Sequence, residues 1–231
     1  MYLPCFIFAR KGSKGLKNKN RINFLNKPLI QHTINHAKNS KFINKIIIST
    51  DDKEIYKIAL KNNCDVIYPR SKLLSNDRAT SVEVLKDAVK FCEKKFGKFD
   101  IYTYLQVTEP LRPINIIDKC ILNLKKNKNL NSSFAGYEVK SNFWIKNKKS
   151  YNLIVPNSET KKPRQKRKKI FREDCGVGLA SRRDALKNSS KVFSKPFKIV
   201  SYNGVRGLID IHTKEDLILA EILVKKFKLK M

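Results

Sequence analysis

The sequence is poor in acidic residues and has no long hydrophobic run. Its 231 residues include 20 Asp and Glu against 50 Lys and Arg, giving a formal net charge of +30. No stretch approaches the roughly 20 apolar residues that a membrane-spanning helix needs. The apolar segment at residues 2–9 is also too short for a secretory signal with a cleavage site. We therefore expect a cytoplasmic protein with no membrane partner.

Cysteine is scarce, and its five copies are scattered along the chain. No two of them are close enough in sequence to form a zinc knuckle or a redox motif. This spacing predicts buried thiols in a reducing compartment. The residues are Cys5, Cys64, Cys92, Cys120 and Cys175.

The excess of positive charge raises the question of a nucleic-acid partner, because Lys and Arg neutralise phosphates and release counterions. Lysine far outnumbers arginine, however, asparagine and isoleucine are also abundant, and the charge is spread along the chain. An electrostatic footprint for nucleic acid requires clustering. The composition is instead typical of an AT-rich genome, and we do not expect nucleic acid as the partner. The one dense run, Lys161 to Lys169, by itself indicates a solvated loop.

Apolar runs and helical patterns alternate along the first 130 residues. "CFIFA", "KIIIST", "DVIY" and "IYTYLQ" are typical of buried strands, and a helical pattern follows each of them. Thr80 with Glu83, and Thr213 with Asp216, have the spacing that opens a helix. The alternation predicts an α/β fold with a Rossmann-like, mostly parallel sheet and helices on both faces. Ligands bind such sheets at the carboxyl ends of the strands.

The pattern changes after "SSFAGYEV", which predicts a further strand. Residues 139–172 are polar, basic and aperiodic, so we predict a projecting basic arm or small subdomain there, with a disordered insertion as the alternative. Strand signals return at "GVGLAS" and "FKIVSY", and "TKEDLILAEILVKKF" predicts a closing amphipathic helix. The length suits one domain spanning residues 1–231.

The loop after the first predicted strand combines glycine with positive charge. In "ARKGSKGLKNKN", Gly12 and Gly15 allow a tight turn, and Arg10, Lys14 and Lys19 are among five cations around them. The glycines do not have the spacing of a dinucleotide fingerprint or of a P-loop. A strand, a glycine turn and several cations still predict a phosphate site, and the amount of positive charge suits a triphosphate. The competing interpretation is a solvated surface hairpin rich in lysine.

Several short motifs resemble one family, in order and over nearly the whole chain. They are "ARKGSKG", "KN" at residues 19–20, "KPLIQHTINHA", "IIISTDD", "LSNDRATSV", "LQVTEPLR", "KKPRQ" and "IDIHTKEDLILAE". Together they resemble the acylneuraminate cytidylyltransferases, also called CMP-sialic acid synthetases, and the related enzymes for legionaminic, pseudaminic and ketodeoxyoctonic acids. The resemblance implies the nucleotide-diphospho-sugar transferase type of fold, CTP and an acidic 2-keto sugar as substrates, Mg²⁺, and a homodimer joined through the arm. The alternatives are a noncatalytic relative and a basic nucleic-acid-binding protein on the same fold.

The resemblance also implies roles for individual residues. Those implied to bind CTP are Arg10, Gly12, Ser13, Lys14, Gly15, Lys19, Asn20, Thr80 and Ser81. Those implied to be catalytic are Arg10, Lys19 and Asp210, of which Asp210 would hold Mg²⁺. Those implied to bind the sugar are Gln106, Arg164 and Arg172, with Arg164 reaching across the dimer to the sugar carboxylate. From the residues alone, Thr80 is equally a helix cap and Gln106 equally a buried structural amide.

Several positions depart from the family pattern. His212 occupies the place of a second metal-site aspartate, so either Asp210 acts alone with water or His212 serves as a base or phosphate contact. Glu109 replaces a serine, and the segment at residues 174–178 loses a tyrosine. The departures concentrate on the sugar side, which implies a substrate other than plain sialic acid. His32 and His36 lie four apart with no third ligand, so we predict a polar helix edge rather than a metal pair.

Overall fold

The computed structural model describes residues 2–12, 15–148, 150–154, 159 and 161–231, and of Arg164 the main chain alone. Its strands are β1 Pro4–Ala9, β2 Asn23–Phe24, β3 Lys27–Pro28, β4 Lys45–Thr50, β5 Asp65–Ile67, β6 Ile101–Gln106, β7 Ser132–Val139, β8 Trp144–Lys146, β9 Tyr151–Leu153, β10 Ile170–Glu173, β11 Leu179–Arg182 and β12 Phe197–Tyr202. Its helices are α1 Leu29–Lys38, α2 Lys53–Lys61, α3 Lys72–Ser75, α4 Ser81–Phe96, α5 Ile116–Lys126 and α6 Lys214–Lys226.

Eight of the strands form one central sheet, and most of them run in the same direction. The order is β10-β7-β11-β6-β1-β4-β5, with β12 pairing along β7. The pairs β1 with β4, β1 with β6, β4 with β5 and β12 with β7 are parallel, whereas β11 and β10 run antiparallel to their neighbours. The predicted mostly parallel α/β sheet is confirmed, and the carboxyl ends of β1, β4, β5 and β6 lie along one edge.

Helices pack on both faces of this sheet. Apolar side chains of α1, α2, α5 and α6 join the core on one face, together with Ile7, Ile48 and Leu105 of the strands. Helix α4 packs on the other face, against Phe6 and Tyr102. Alternate residues of β1 therefore enter different cores, as the period-2 geometry of a strand requires.

The two helix starts that the sequence predicts at Thr80 and Thr213 form complete capping boxes. The Thr80 hydroxyl accepts from the Glu83 main-chain N–H, and Thr213 and Asp216 are arranged in the same way. Helix α5 begins at Ile116, three residues after Pro113, because Asn115 just before it takes a left-handed conformation with φ 62°. Helix α6 is less buried than an amphipathic pattern predicts, since Ile218 and Ile222 are about half exposed.

The segment between β7 and β10 leaves the central sheet. Strands β8 and β9 pair antiparallel with each other and form a separate two-stranded sheet. Apolar side chains of this hairpin face solvent, with Trp144 59% and Tyr151 63% exposed. The described part of the arm thus includes a small hairpin with exposed apolar side chains.

Candidate functional site

A cleft opens at the carboxyl ends of the parallel strands. Its volume is about 300 Å³, within the usual range for small-molecule sites. Polar and cationic groups dominate its walls, which come from the ends of β1, β5 and β6, the start of α4 and the loop before α6. The lining residues are Phe8, Arg10, Gly12, Lys19, Asn20, Arg70, Leu74, Asn76, Ala79, Ser81, Val84, Tyr104, Gln106, Thr108 and His212.

The loop after β1 brings four of its seven predicted residues into this cleft. Asn20 Nδ2 donates to the Arg10 carbonyl at 2.9 Å, which closes the loop back on its start. The Arg10 guanidinium meets the Asp77 carboxylate at 2.5 Å, and both side chains are partly exposed. Arg10, Gly12, Lys19 and Asn20 therefore share one wall, whereas the predicted contacts Ser13 and Lys14 lie outside the described residues.

The segment before α6 meets the same loop from the other side. The His212 ring contacts Lys19 Nζ through Nδ1 at 3.3 Å and Asp210 Oδ2 through Nε2 at 2.9 Å. A Cβ added to Gly15 would lie only 2.7 Å from the His212 carbonyl oxygen, so this close approach requires glycine. Burial lowers the pKa of the Lys19 ammonium, and the charge of Asp210 acts in the opposite direction. Lys19 and Asp210, 191 positions apart, thus contact the same imidazole ring, and of the two only Lys19 is among the described residues that line the cleft.

The start of α4 forms a further part of the cleft. Ser81 lines it and accepts a hydrogen bond from the Tyr104 hydroxyl at 3.4 Å. Thr80 is absent from the described lining, and its hydroxyl donates to Glu83 at 2.8 Å. The structure therefore places Ser81 in the wall and Thr80 in the helix cap beside it.

Arg70 is a cleft residue that the sequence did not single out as a ligand. It follows β5 and is only 4% exposed, yet it lines the cleft. Burial lowers the pKa of its guanidinium, Asp51 opposes that shift, and the two groups lie 4.0 Å apart. The sequence signal was its position directly after a strand of the parallel sheet, where ligand-facing residues are expected.

Gln106 ends β6 and lines the cleft, held by buried groups beneath it. Arg112 is fully buried and donates to the carbonyls of Gln106, Gly176 and Val177, the last two each at 3.0 Å. Glu109 is 7% exposed, and its Oε2 has no hydrogen-bond partner among the described residues. A Cβ on Gly176 would collide with both Glu109 and the Gln106 side chain, so glycine makes room for this pair.

Burial raises the pKa of the Glu109 carboxyl to about 8, against the pull of Arg112 in the opposite direction. Between the ordinary value of 4.5 and about 8, the folded chain holds a proton that the unfolded chain has released. Stability therefore falls as the pH rises through this window. Glu109→Gln, which is neutral throughout, removes that loss.

We compare the free energy of unfolding of Glu109→Gln with that of the unchanged protein at pH 5.5 and at pH 8.5. The difference should shift in favour of the variant by at least about 1 kcal/mol at the higher pH, since one pKa unit corresponds to about 1.4 kcal/mol. Urea unfolding of both proteins at the two pH values measures the difference. The exposed Glu54 on α2 gives a control, Glu54→Gln. The change in unfolding free energy that this substitution causes should be the same at both pH values. An equal effect of Glu109→Gln at both pH values contradicts a raised pKa.

Of the two predicted sugar-binding arginines, Arg172 is not among the described residues that line the cleft, and the side chain of Arg164 lies outside the described part of the structure. Arg172 on β10 forms a bidentate pair with Asp174 at 2.7 and 2.9 Å, and it donates to the Gly207 carbonyl at 2.8 Å. Arg164 begins a short 3₁₀ turn, Arg164–Lys166, in the arm. The contacts described for Arg172 do not include Lys19 or Asp210.

The histidine pair of α1 serves the core. His32 is 5% exposed and bonds the Phe24 carbonyl at 2.8 Å, so the prediction of a polar helix edge is wrong for it. His36 bonds the Pro110 carbonyl at 3.2 Å, and burial lowers its pKa to about 3. The His36 side of helix α1 packs against the loop after β6.

Three general features of the described part of the chain complete the picture. All five cysteines are free and buried, as predicted. The described residues contain no group of three or more His, Cys, Asp or Glu side chains that could hold a metal ion. None of the described helices has both the length and the apolar character needed to cross a bilayer.

Comparison with known proteins gives consistent matches. A family profile described as cytidylyltransferase matches residues 5–175. The chain is 32% identical over 225 residues to pseudaminic acid cytidylyltransferase of Campylobacter jejuni, covering 96% of this chain and 95% of that protein. It is 27% identical over 226 residues to CMP-N,N'-diacetyllegionaminic acid synthase of Legionella pneumophila, covering 97% of each.

Among solved structures, the fold is similar to a CMP:2-keto-3-deoxy-manno-octonic acid synthetase complexed with CTP. The TM-score is 0.72 at 17% identity, with 98% of this chain and 100% of the other covered. At that identity the likeness concerns the fold alone.

Proposed function

The chain belongs to the cytidylyltransferase family, and from that premise we propose how its cleft works. The protein is a nucleotidyltransferase that activates an acidic nonulosonic sugar with CTP, giving a CMP-sugar and pyrophosphate. The observation that carries the assignment of residues is the meeting of the glycine-containing cationic loop with the Asp210 segment in one cleft.

We propose that the cations of the cleft bind the triphosphate. Arg10, Lys19 and Arg70 stand around a single opening at the carboxyl ends of the strands. The anomeric hydroxyl of the sugar attacks the α-phosphorus, and pyrophosphate leaves with growing negative charge. Fixed cations and main-chain amides offset that charge without having to reorganise, which is the main contribution a protein makes to phosphoryl chemistry. Asn20 and Ser81 are placed to contact the nucleoside part.

Asp210 suits a magnesium ion shared with the substrate. Its side chain is 44% exposed and contacts His212, which lines the cleft. Mg²⁺ is commonly held by one or two carboxylates together with substrate phosphates and water, so one carboxylate is a sufficient protein contribution. When bound, the ion would neutralise phosphate charge and polarise a phosphoryl oxygen.

We also propose a homodimer joined through the hairpin of the arm. Its exposed apolar side chains need a partner surface, and a second copy would carry Arg164 toward the substrate carboxylate of its neighbour. A guanidinium fork matches a carboxylate in two parallel hydrogen bonds. The buried free thiols fit the reducing cytoplasm that we propose as its location.

The dimer proposal predicts that Trp144→Glu combined with Tyr151→Glu yields a monomer. Two buried carboxylates at an apolar interface would cost several kcal/mol without compensating partners. Sedimentation velocity at micromolar concentration measures the change. Leu73→Glu is the matched control, because Leu73 is 82% exposed on α3, away from the hairpin. A double variant that sediments like the unchanged dimer, or an unchanged protein that is monomeric, contradicts the proposal.

The function is tested by a coupled pyrophosphate assay with CTP and a panel of 2-keto acid sugars. The panel includes pseudaminic, legionaminic, N-acylneuraminic and ketodeoxyoctonic acids, and each is also tried with ATP, GTP and UTP. We expect release that depends on both CTP and one sugar. No pyrophosphate release with any sugar of the panel would favour a noncatalytic relative. Steeply salt-dependent filter binding of nucleic acid without turnover would favour a basic nucleic-acid-binding protein.

A further inference from the structure

The imidazole ring of His212 contacts both the Lys19 ammonium and the Asp210 carboxylate. Nδ1 of His212 lies 3.3 Å from Lys19 Nζ, and Nε2 of the same ring lies 2.9 Å from Asp210 Oδ2. Both ring nitrogens are therefore engaged, each by a different charged group. The ring also lines the cleft, so this link stands at the place where the triphosphate is proposed to bind.

The main chain around His212 is fixed from three sides. Its N–H donates to Asp216 Oδ2 at 2.9 Å, and the preceding Ile211 N–H donates to the Thr108 carbonyl at 2.8 Å. Its carbonyl packs against Gly15, where no side chain fits. The position of the ring is thus set by the backbone, and a change of side chain at residue 212 should leave the loop in place.

The chemistry of the two neighbours selects one form of the ring. A lysine ammonium only donates hydrogen bonds, and an ionised carboxylate only accepts them. Nδ1 must then offer its lone pair to Lys19, and Nε2 must carry the proton that is donated to Asp210. Only the neutral ring with hydrogen on Nε2 satisfies both contacts.

We propose that His212 is a positioning residue, which holds the Lys19 ammonium and the Asp210 carboxylate at a fixed separation across the triphosphate site. The inference rests on the proposed function and deepens it. Because both nitrogens are occupied, the ring acts through Lys19 and Asp210, and neither as the base for the sugar hydroxyl nor as a direct phosphate contact.

The first test is spectroscopic and requires no turnover. The protein has 3 histidines, so ¹⁵N-labelled imidazoles of the full chain at pH 8 give a simple spectrum, and His212→Gln identifies the signal of residue 212. We expect the pattern of a neutral ring with hydrogen fixed on Nε2. A ring with hydrogen on Nδ1, or signals averaged between the two tautomers, overturns the proposal.

The second test separates positioning from mere structure. We expect His212→Ala to lower kcat by about 10- to 100-fold, the usual cost of losing a group that orients a site residue, with the KM for CTP changed less and Tm unchanged. His212→Asn keeps an amide near Nδ1 and His212→Gln keeps one near Nε2, so each should recover part of kcat. Lys214→Ala, exposed at the start of α6, is the control and should match the unchanged protein.

Two kinetic outcomes overturn the inference. An unchanged kcat in His212→Ala means that Lys19 and Asp210 need no link, and a loss that neither amide variant recovers makes the ring a direct participant. If no sugar is turned over by any of the proteins, the proposed function fails, while the spectrum still decides whether the ring links the two charged groups.

Discussion

Replacing Asp210 with asparagine is expected to lower kcat by at least about a hundredfold, the order lost when one charge-stabilising group is removed from an active site. Asparagine keeps the size of the side chain and can still accept a hydrogen bond from His212 Nε2, which lies 2.9 Å from Asp210 Oδ2. What it removes is the negative charge that suits a divalent ion and balances Lys19. The effect should therefore appear in catalysis and in the dependence on Mg²⁺, with little change in folding.

The measurement is steady-state pyrophosphate release over a range of Mg²⁺ concentrations, with Tm recorded for each protein. Asp100→Asn is the control, because Asp100 is exposed and precedes β6, at the opposite end of the strand from Gln106. Control and unchanged protein should coincide. If Asp210→Asn keeps the full kcat and the same Mg²⁺ dependence, the assignment of the metal ligand is wrong.

The parts of the fold that depend on local sequence were predictable. Strand β6 matches its sequence pattern at both ends, and both capping boxes form where Thr80 and Thr213 indicated. These features depend on neighbours within four residues, so a single sequence contains all the information. The carboxyl-end rule then placed Arg10 and Gln106 at the same edge without any knowledge of their contacts.

The parts that depend on distant contacts were not predictable. Nothing near Arg70 or Glu109 in sequence indicates that both become buried at the edge of the cleft. His32 was misjudged for the same reason, since its partner is a main-chain carbonyl in a different segment. Lys19 and His212 likewise are in contact although they lie 193 positions apart, and sequence reasoning could identify the histidine but not its two partners.

The support beneath Gln106 gives the second large prediction, which concerns stability. Arg112 has no exposed surface and donates to three main-chain carbonyls and to the Thr33 hydroxyl, the last at 3.2 Å. Burial lowers its pKa to about 10, so it stays charged at neutral pH. Its guanidinium ties the end of β6 to the turn at Gly176, in addition to the main-chain hydrogen bond that Gln106 N–H donates to the Gly176 carbonyl at 2.9 Å.

We expect Arg112→Met to lose about 3–5 kcal/mol of unfolding free energy, the range for breaking a buried charged network from one side. Methionine fills part of the volume but removes the side-chain donor to the carbonyls of Gln106, Gly176 and Val177, of which Gly176 keeps the main-chain N–H of Gln106 at 2.9 Å. It also removes the positive charge that opposes the raised pKa of Glu109. Because whole domains are stable by only about 5–15 kcal/mol, the variant should be partly unfolded at 37 °C. Urea unfolding at 15 °C measures the loss while the variant is still folded.

Two further variants make this prediction specific. Arg183→Met removes a guanidinium that pairs with Glu93 at 2.6 Å near the surface, and such pairs contribute about 1 kcal/mol or less. Arg112→Lys keeps the charge but has a single head group that cannot reach all four acceptors, so its loss should fall between the other two. An Arg112→Met variant no less stable than Arg183→Met would show that the carbonyls find other donors and that Gln106 is held by the sheet alone.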